Sequence, residues 1–296
     1  MSPPIFRRAL IAASLCVALA GCGQGFKSPI KLPQFRLPGA APFDKDKLEA
    51  AIDSGFGGIG TCVIIADTGS GRELFRYNSN AACMNPLPPC ATFDIPDALI
   101  GLDAGLVTPQ TVFKWNGKPQ PVTAWQHDAD LAAAFKGGVL WWFQRLAVMA
   151  GPSLYAERLK AFGYGNKLAG GPPDSFWLGP ASGGKLAISA REQAQFLHRL
   201  YAGQLPVMPA NAAVVQQLML DETRGGVEVS GQIGDCPSLA DGSEQVSWWV
   251  GRLKGPHADY VFAVSMDQPT GSALPAQEIK VRAKSAFAQA GLWPAS

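Results

Sequence analysis

The chain has 296 residues, 47% of them hydrophobic and 16% charged, a balance that excludes a disordered polypeptide and leaves ample material for a core. Its formal charge is +2; with Arg7 and Arg8 set aside in a leader, 23 basic residues face 23 acidic ones. Nothing in that balance favours nucleic acid or an anionic membrane surface as partner.

Residues 1–21 read as an export signal. Arg7 and Arg8 precede the apolar run 9–20, which is too short to span a bilayer comfortably. The run ends in Leu19-Ala20-Gly21-Cys22, which resembles a bacterial lipobox and predicts lipidation of Cys22. Gly23 rather than aspartate follows, which by analogy with known lipoproteins favours the outer membrane, facing the periplasm. Residues 22–43 carry Pro, Gly and basic residues without a sustained period, as a membrane tether would.

The folded part is expected over 44–296. Residues 44–54 fit a short helix with Leu48, Ala51 and Ile52 on one face, and 60–66 with 73–77 flank the turn Asp67-Thr68-Gly69-Ser70-Gly71 as a hairpin. A proline-rich loop then runs into a helix opening at Pro89 or Cys90, with Phe93, Ile95, Leu99, Ile100 and Leu102 around most of its circumference. Helices are predicted over 135–150, 157–162, 189–201 and 214–219, the third opened by a capping box of Ser189 and Glu192. Beyond Arg224-Gly225-Gly226 the period becomes extended, with strands over 227–233, 246–252 and 260–266, and a helix over 279–290 closes the chain. The predicted class is α+β, an antiparallel sheet built from both chain ends with a helical region, about 90–220, inserted between them.

Four cysteines remain beyond the leader: Cys62, Cys83, Cys90 and Cys236. An even number in an exported chain points to two disulfides, and with three histidines no His/Cys cluster stands at metal-ligand spacing, so neither metal nor cofactor is expected. Chain proximity favours Cys83 with Cys90, leaving Cys62 and Cys236 as partners or free; Cys90 with Cys236 is the alternative.

Pro89-Cys90-Ala91-Thr92-Phe93-Asp94-Ile95-Pro96, with Leu99-Ile100-Gly101-Leu102-Asp103-Ala104-Gly105 behind it, resembles the segment P-x-S-T-F-K-I-P-x-x-L-I-x-L-D-x-G of class D β-lactamases and related penicillin-binding sensor domains. Collinear matches follow in Phe113-Lys114-Trp115-Asn116-Gly117, Trp125-Gln126-His127-Asp128, Tyr164-Gly165-Asn166, Phe176-Trp177-Leu178 and Trp248-Trp249-Val250-Gly251. The resemblance implies a serine nucleophile and a lysine base one helical turn apart. Here those positions hold Ala91 and Asp94. The family's relay serine falls on Gly138, its K-T-G on Gln232-Ile233-Gly234, and the arginine of its L-P-x-R on Gln277.

Alanine offers no hydroxyl to acylate, so no catalytic residue is expected. The sequence therefore reads as a catalytically degenerate, penicillin-recognising fold, serving as a binding or scaffold module for an envelope protein or a cell-wall component. The rival readings are a different hydrolase with Asp94 as general base, and a β-lactam or peptidoglycan binder that does not acylate. For Trp115, Trp141, Trp177 and Trp248, packing is a better account than a ligand platform. His127, His198 and His257 read as structural or surface residues, and Asp128 and Glu157 as carboxylates without an identifiable partner.

Overall fold

The computed structural model of the protein describes residues 43–236, 245–268 and 274–294. The export signal 1–21, Cys22 and the tether as far as residue 42 lie outside the described residues. Phe43, read as the end of the tether, belongs to the folded part instead: it is buried, and its ring meets Phe75 and Tyr260 edge-on at 6.3 and 5.8 Å.

Asp44 caps α1 (Lys45–Phe56) by accepting from the Lys47 N–H at 3.0 Å, and Leu48, Ala51, Ile52 and Phe56 form the buried face. β1 (Gly60–Asp67) and β2 (Glu73–Tyr77) make the hairpin, its turn held by Asp67 Oδ1, which accepts from the Ser70 N–H at 2.7 Å. A short α2 (Asn80–Met84) follows, too brief to show a period in the sequence.

Cys90–Phe93 form a single 3-10 turn rather than the start of an α-helix, and α3 (Asp94–Asp103) begins at Asp94 with Pro96 tolerated in its first turn. Every residue of α3 but the last is buried, as an apolar circumference requires. The helix read over 135–150 is divided: α4 (Leu131–Gly137) ends at Gly138, in the left-handed region at φ 56°, and α5 (Leu140–Phe162) follows, broken internally at Gly151 ahead of Pro152. α6 (Ala190–Tyr201) carries the reciprocal Ser189–Glu192 capping box, and α7 (Pro209–Met219) starts with its proline at the first helical position.

The last segment supplies β3 (Leu220–Arg224), β4 (Val227–Asp235), β5 (Gln245–Lys254), β6 (Asp259–Gln268) and α8 (Gln277–Gln289). β3 escapes the sequence reading because it is a polar edge strand, Leu-Asp-Glu-Thr-Arg, without an apolar alternation to mark it. The sheet order is β2-β1-β6-β5-β4-β3, every neighbour antiparallel, and the predicted joining of the two chain ends is the β1–β6 ladder, Gly60 opposite Asp267 through Asp67 opposite Tyr260.

Two cores lie on the two faces of that sheet. α1 and α8 pack on one, with Trp249, Phe262 and Phe287 in contact between them. α3 to α6 pack on the other, where Phe93 meets Tyr155, Tyr164, Phe176 and Trp177 at 5.2 to 6.0 Å. Each large side chain buried there contributes about 2 kcal/mol through removal from water.

The cysteines pair as Cys62–Cys83 and Cys90–Cys236, not as Cys83–Cys90. Chain proximity misleads because the segment between α2 and the 3-10 turn is pinned by residues distant in sequence. Leu87 forms a β-bridge with Ile188, and the Pro88 carbonyl accepts from Trp248 Nε1 at 2.8 Å, which delivers Cys90 to the end of β4.

Candidate functional site

The 3-10 turn, α3 and β4 converge on one spot. Ala91 is half-buried in the turn, and Asp94, one turn on, is 2% exposed. Gln232 on β4 donates from Nε2 to Asp94 Oδ2 at 3.0 Å. Two residues along the strand, Gly234 lies so close to the turn that an added Cβ would stand 2.7 Å from Thr92 Cγ2 and 2.9 Å from the Pro89 carbonyl oxygen; only glycine permits that approach. The Cys90–Cys236 bridge completes the junction. Ala91, Asp94, Gln232 and Gly234 are thus assembled from segments far apart in sequence.

The other sequence-predicted positions make no side-chain hydrogen bond to Asp94 or Gln232 among the described residues. Strand alternation turns Ile233 to the opposite face of the sheet, half-buried against the α1/α8 core. Gly138 occupies the α4–α5 turn, where a side chain would meet nothing within 4 Å. Gln277 stands exposed at the first residue of α8, and no hydrogen bond among the described residues links it to Asp94 or Gln232.

The turn itself is held from several sides. The Cys90 N–H donates to the Trp177 carbonyl at 3.2 Å, while Thr92 Oγ1 donates to the Pro89 carbonyl at 2.6 Å and accepts from Gln193 Nε2 at 2.8 Å. Thr92 is therefore fully engaged in structure. Trp177 and Trp248 are buried, as packing required, whereas Trp115 and Trp141 are half-buried and donate to the carbonyls of Lys118 and Trp125.

One residue of the site escaped sequence reasoning: Asp97, a turn beyond Asp94 and wholly buried, accepts from the Tyr155 hydroxyl through Oδ1, while Oδ2 is buried without a partner. The signal was present as a second carboxylate three residues after the first, on a helix apolar nearly all round. Burial, and then the charge of Asp97, push the Asp94 carboxyl well above the usual range, against the pull of the Gln232 hydrogen bond. Burial pushes Asp97 up to about 8, with the Tyr155 hydrogen bond opposing. The ion pairs among the described residues lie elsewhere; the nearest along α3 joins Asp103 at its far end to Arg158 at 3.0 Å.

Asp128, read as partnerless, pairs with Lys114 Nζ at 2.8 Å and accepts from the Trp115 N–H at 2.9 Å, which lowers its pKa. Glu157 and His257 are exposed, and His127 and His198 hydrogen-bond through Nδ1 to the carbonyls of Asp128 and Thr68. Among the described residues no group of three His, Cys, Asp or Glu side chains is placed to hold a metal, and no helix is long and apolar enough to cross a membrane.

Known proteins share this architecture. Residues 60–289 match the family described as the penicillin binding protein transpeptidase domain. The chain is 36% identical over 187 residues to β-lactamase OXA-48 of Klebsiella pneumoniae, covering 63% of this chain and 68% of that one. It is 35% identical over 202 residues to β-lactamase OXA-5 of Pseudomonas aeruginosa, covering 68% and 74%. Among solved structures, the class D β-lactamase from Bacillus subtilis superposes with a TM-score of 0.73 at 27% identity, over 83% of this chain and 97% of that one. The BPu1 β-lactamase gives 0.72 at 27% identity, over 83% and 98%. With the helix-borne motif, the six-stranded antiparallel sheet and the two flanking layers in place, the chain belongs to the penicillin-binding transpeptidase family, within its class D β-lactamase-like group.

Proposed function

We propose that this protein is a catalytically degenerate member of that group, an envelope lipoprotein that binds or scaffolds instead of acylating. The observation that carries this reading is the Ala91 methyl group at the turn, one helical turn ahead of a buried Asp94 whose hydrogen bond goes to Gln232. A methyl group has no lone pair to attack a carbonyl. The rival hydrolase needs Asp94 ionised as a base, and burial raises that carboxyl well above the usual range, which opposes ionisation. Loss of a lysine at position 232 also removes attraction for an anionic ligand, up to about 4 kcal/mol for a close pair in a partly screened site.

The test is intact mass after incubation with a penicillin. The natural chain is expected to show no covalent adduct, and so is Ala91→Ser alone, because the new hydroxyl would have no base and residues that act as a unit fail as a unit. Combining Ala91→Ser with Asp94→Lys, Gly138→Ser and Gln232→Lys is expected to restore slow acylation. Position 138 has room, at the modest cost of a left-handed serine. Ile233→Thr is left out because its side chain packs on the far face of the sheet. An adduct on the natural chain would end the reading.

Anchoring through Cys22 belongs to the same proposal. Cys22→Ser is expected to shift the protein from the membrane fraction to the soluble one, or to leave an unprocessed precursor; normal processing with unchanged membrane retention would count against a lipid anchor.

A further inference from the structure

Asn116 and Gly117 form the chain's one Asn-Gly pair, in an exposed bend of the loop between α3 and the 3-10 turn Thr123–Trp125. Asn116 Oδ1 accepts from the Lys118 N–H at 3.0 Å, the closure that asparagine side chains make onto the backbone two residues on. Asn116 Nδ2 and the Gly117 N–H make no hydrogen bond among the described residues. Gly117 lies at φ 80°, and an added Cβ would meet nothing within 4 Å, so this flank of the bend is open. The side-chain amide therefore has its oxygen polarised by a fixed donor, its nitrogen free to leave and an unhindered main-chain N–H beside it.

We propose that the chain modifies itself here, by intramolecular deamidation of Asn116. Hydroxide takes the Gly117 amide proton and the nitrogen bonds to Asn116 Cγ, while the Lys118 N–H donates to the oxyanion that Oδ1 becomes. The Cγ–Nδ2 bond then breaks. Ammonia leaves with a proton taken from water, which regenerates the hydroxide, and a five-membered succinimide remains. Water opens the ring at either carbonyl: breaking the new bond to Cγ gives aspartate, and breaking the original peptide bond gives isoaspartate. Nothing is oxidised or reduced, and water is the only co-reactant.

The other asparagines lack this arrangement. After Asn78 the Ser79 N–H is held by Asn78 Oδ1 at 2.6 Å, and Asn78 Nδ2 donates to the Thr61 carbonyl at 3.0 Å. After Asn166 the Lys167 N–H donates to the Tyr164 carbonyl at 3.1 Å, and Asn166 Nδ2 donates to the Lys185 carbonyl at 2.8 Å. Asn85 precedes Pro86, which has no N–H, and Asn80 and Asn211 lie within α2 and α7.

The product alters the loop around it. Trp115 Nε1 donates to the Lys118 carbonyl at 2.9 Å, a bond that spans the Asn-Gly pair. Isoaspartate inserts a methylene into the main chain inside that span, which loosens the hold on Trp115. Either product adds a negative charge two residues from Lys114, the partner of Asp128.

The experiment incubates the purified protein at pH 6 and pH 8, folded and in guanidinium chloride, reading charge variants by isoelectric focusing and their position by peptide mapping with mass spectrometry. An acidic form with aspartate and isoaspartate at position 116 is expected, gathering faster at pH 8. In the folded chain it should form roughly tenfold or more faster than at any other asparagine. Folding should leave its rate within about tenfold of that in guanidinium chloride, because the structure does not shield the reacting atoms. Asn116→Gln should lose the acidic form, since the longer side chain would have to close a six-membered ring, and Gly117→Ala should slow it by crowding the nucleophile. The proposal is overturned if the folded chain converts Asn116 no faster than Asn78 or Asn166, if conversion is no faster at pH 8 than at pH 6, if folding suppresses it beyond that range, or if Asn116→Gln turns acidic undiminished. Should Gly117→Ala not fold with its alanine in the left-handed region, Asn116→Gln and the natural chain decide.

Discussion

Replacing Cys90 and Cys236 together with alanine is expected to lower the unfolding free energy by up to about 5 kcal/mol, against about 3 kcal/mol for Cys62 with Cys83. The difference comes from loop length. The first bridge closes a loop with a sequence separation of 146 and the second one of 21, and a longer closed loop removes more freedom from the unfolded chain. Both pairs are buried, so alanine also leaves small gaps, but these are alike in the two variants. Urea unfolding of the oxidised parent and the two variants measures the effect. Equal losses, or a larger loss for the short loop, would show that loop closure is not what these bridges contribute.

Asp97→Asn is expected to stabilise the protein at pH 8 while changing little at pH 4. The sign follows from proton counting. In the unfolded chain Asp97 titrates near 3.8 and in the folded one at about 8, so between those values the folded state holds a proton that the unfolded state has released. The contribution is fully present below pH 4 and falls with rising pH by about 1.4 kcal/mol per unit until pH passes 8. Asparagine keeps the shape, accepts from Tyr155 and never ionises. Asp94→Asn should act in the same direction, since burial raises that carboxyl as well. Thermal or chemical unfolding across pH 4 to 9 reads the slope. If the Asp97→Asn variant kept the parent's pH slope, the carboxyl would not be titrating as its burial requires.

Much of this architecture was legible in the sequence because strong local signals agreed with one another. The Ser189–Glu192 capping box, the Asp67–Gly71 turn and the all-round apolar pattern from Phe93 to Leu102 each specify an element without help from distant residues. The joining of Ala91 and Asp94 to Gln232 and Gly234 was legible only through the family motif, since no local rule brings residues from two such distant segments together. What failed depended on three-dimensional routing. The disulfide partners follow from where Leu87 and Pro88 are pinned, and Ile233 faces away because strand alternation is fixed by pairing with Trp249 rather than by its neighbours in the motif. Asp97 was overlooked because a carboxylate in the first turn of a helix ordinarily faces water, and here tertiary packing buries it against the Tyr155 hydroxyl.

The pairing of β1 with β6 also sets an order of events in time. Gly60 pairs with Asp267, roughly 200 residues later, so this ladder cannot close until nearly the whole chain has reached the compartment where it folds. Until then the apolar strand Cys62 to Ala66 has β2 on one side and an open edge on the other. The Cys62–Cys83 bridge can close within that early hairpin, whereas Cys90 has no partner until β4 has been made. High contact order of this kind slows folding, and the growing chain carries an exposed, aggregation-prone edge until its final strands arrive.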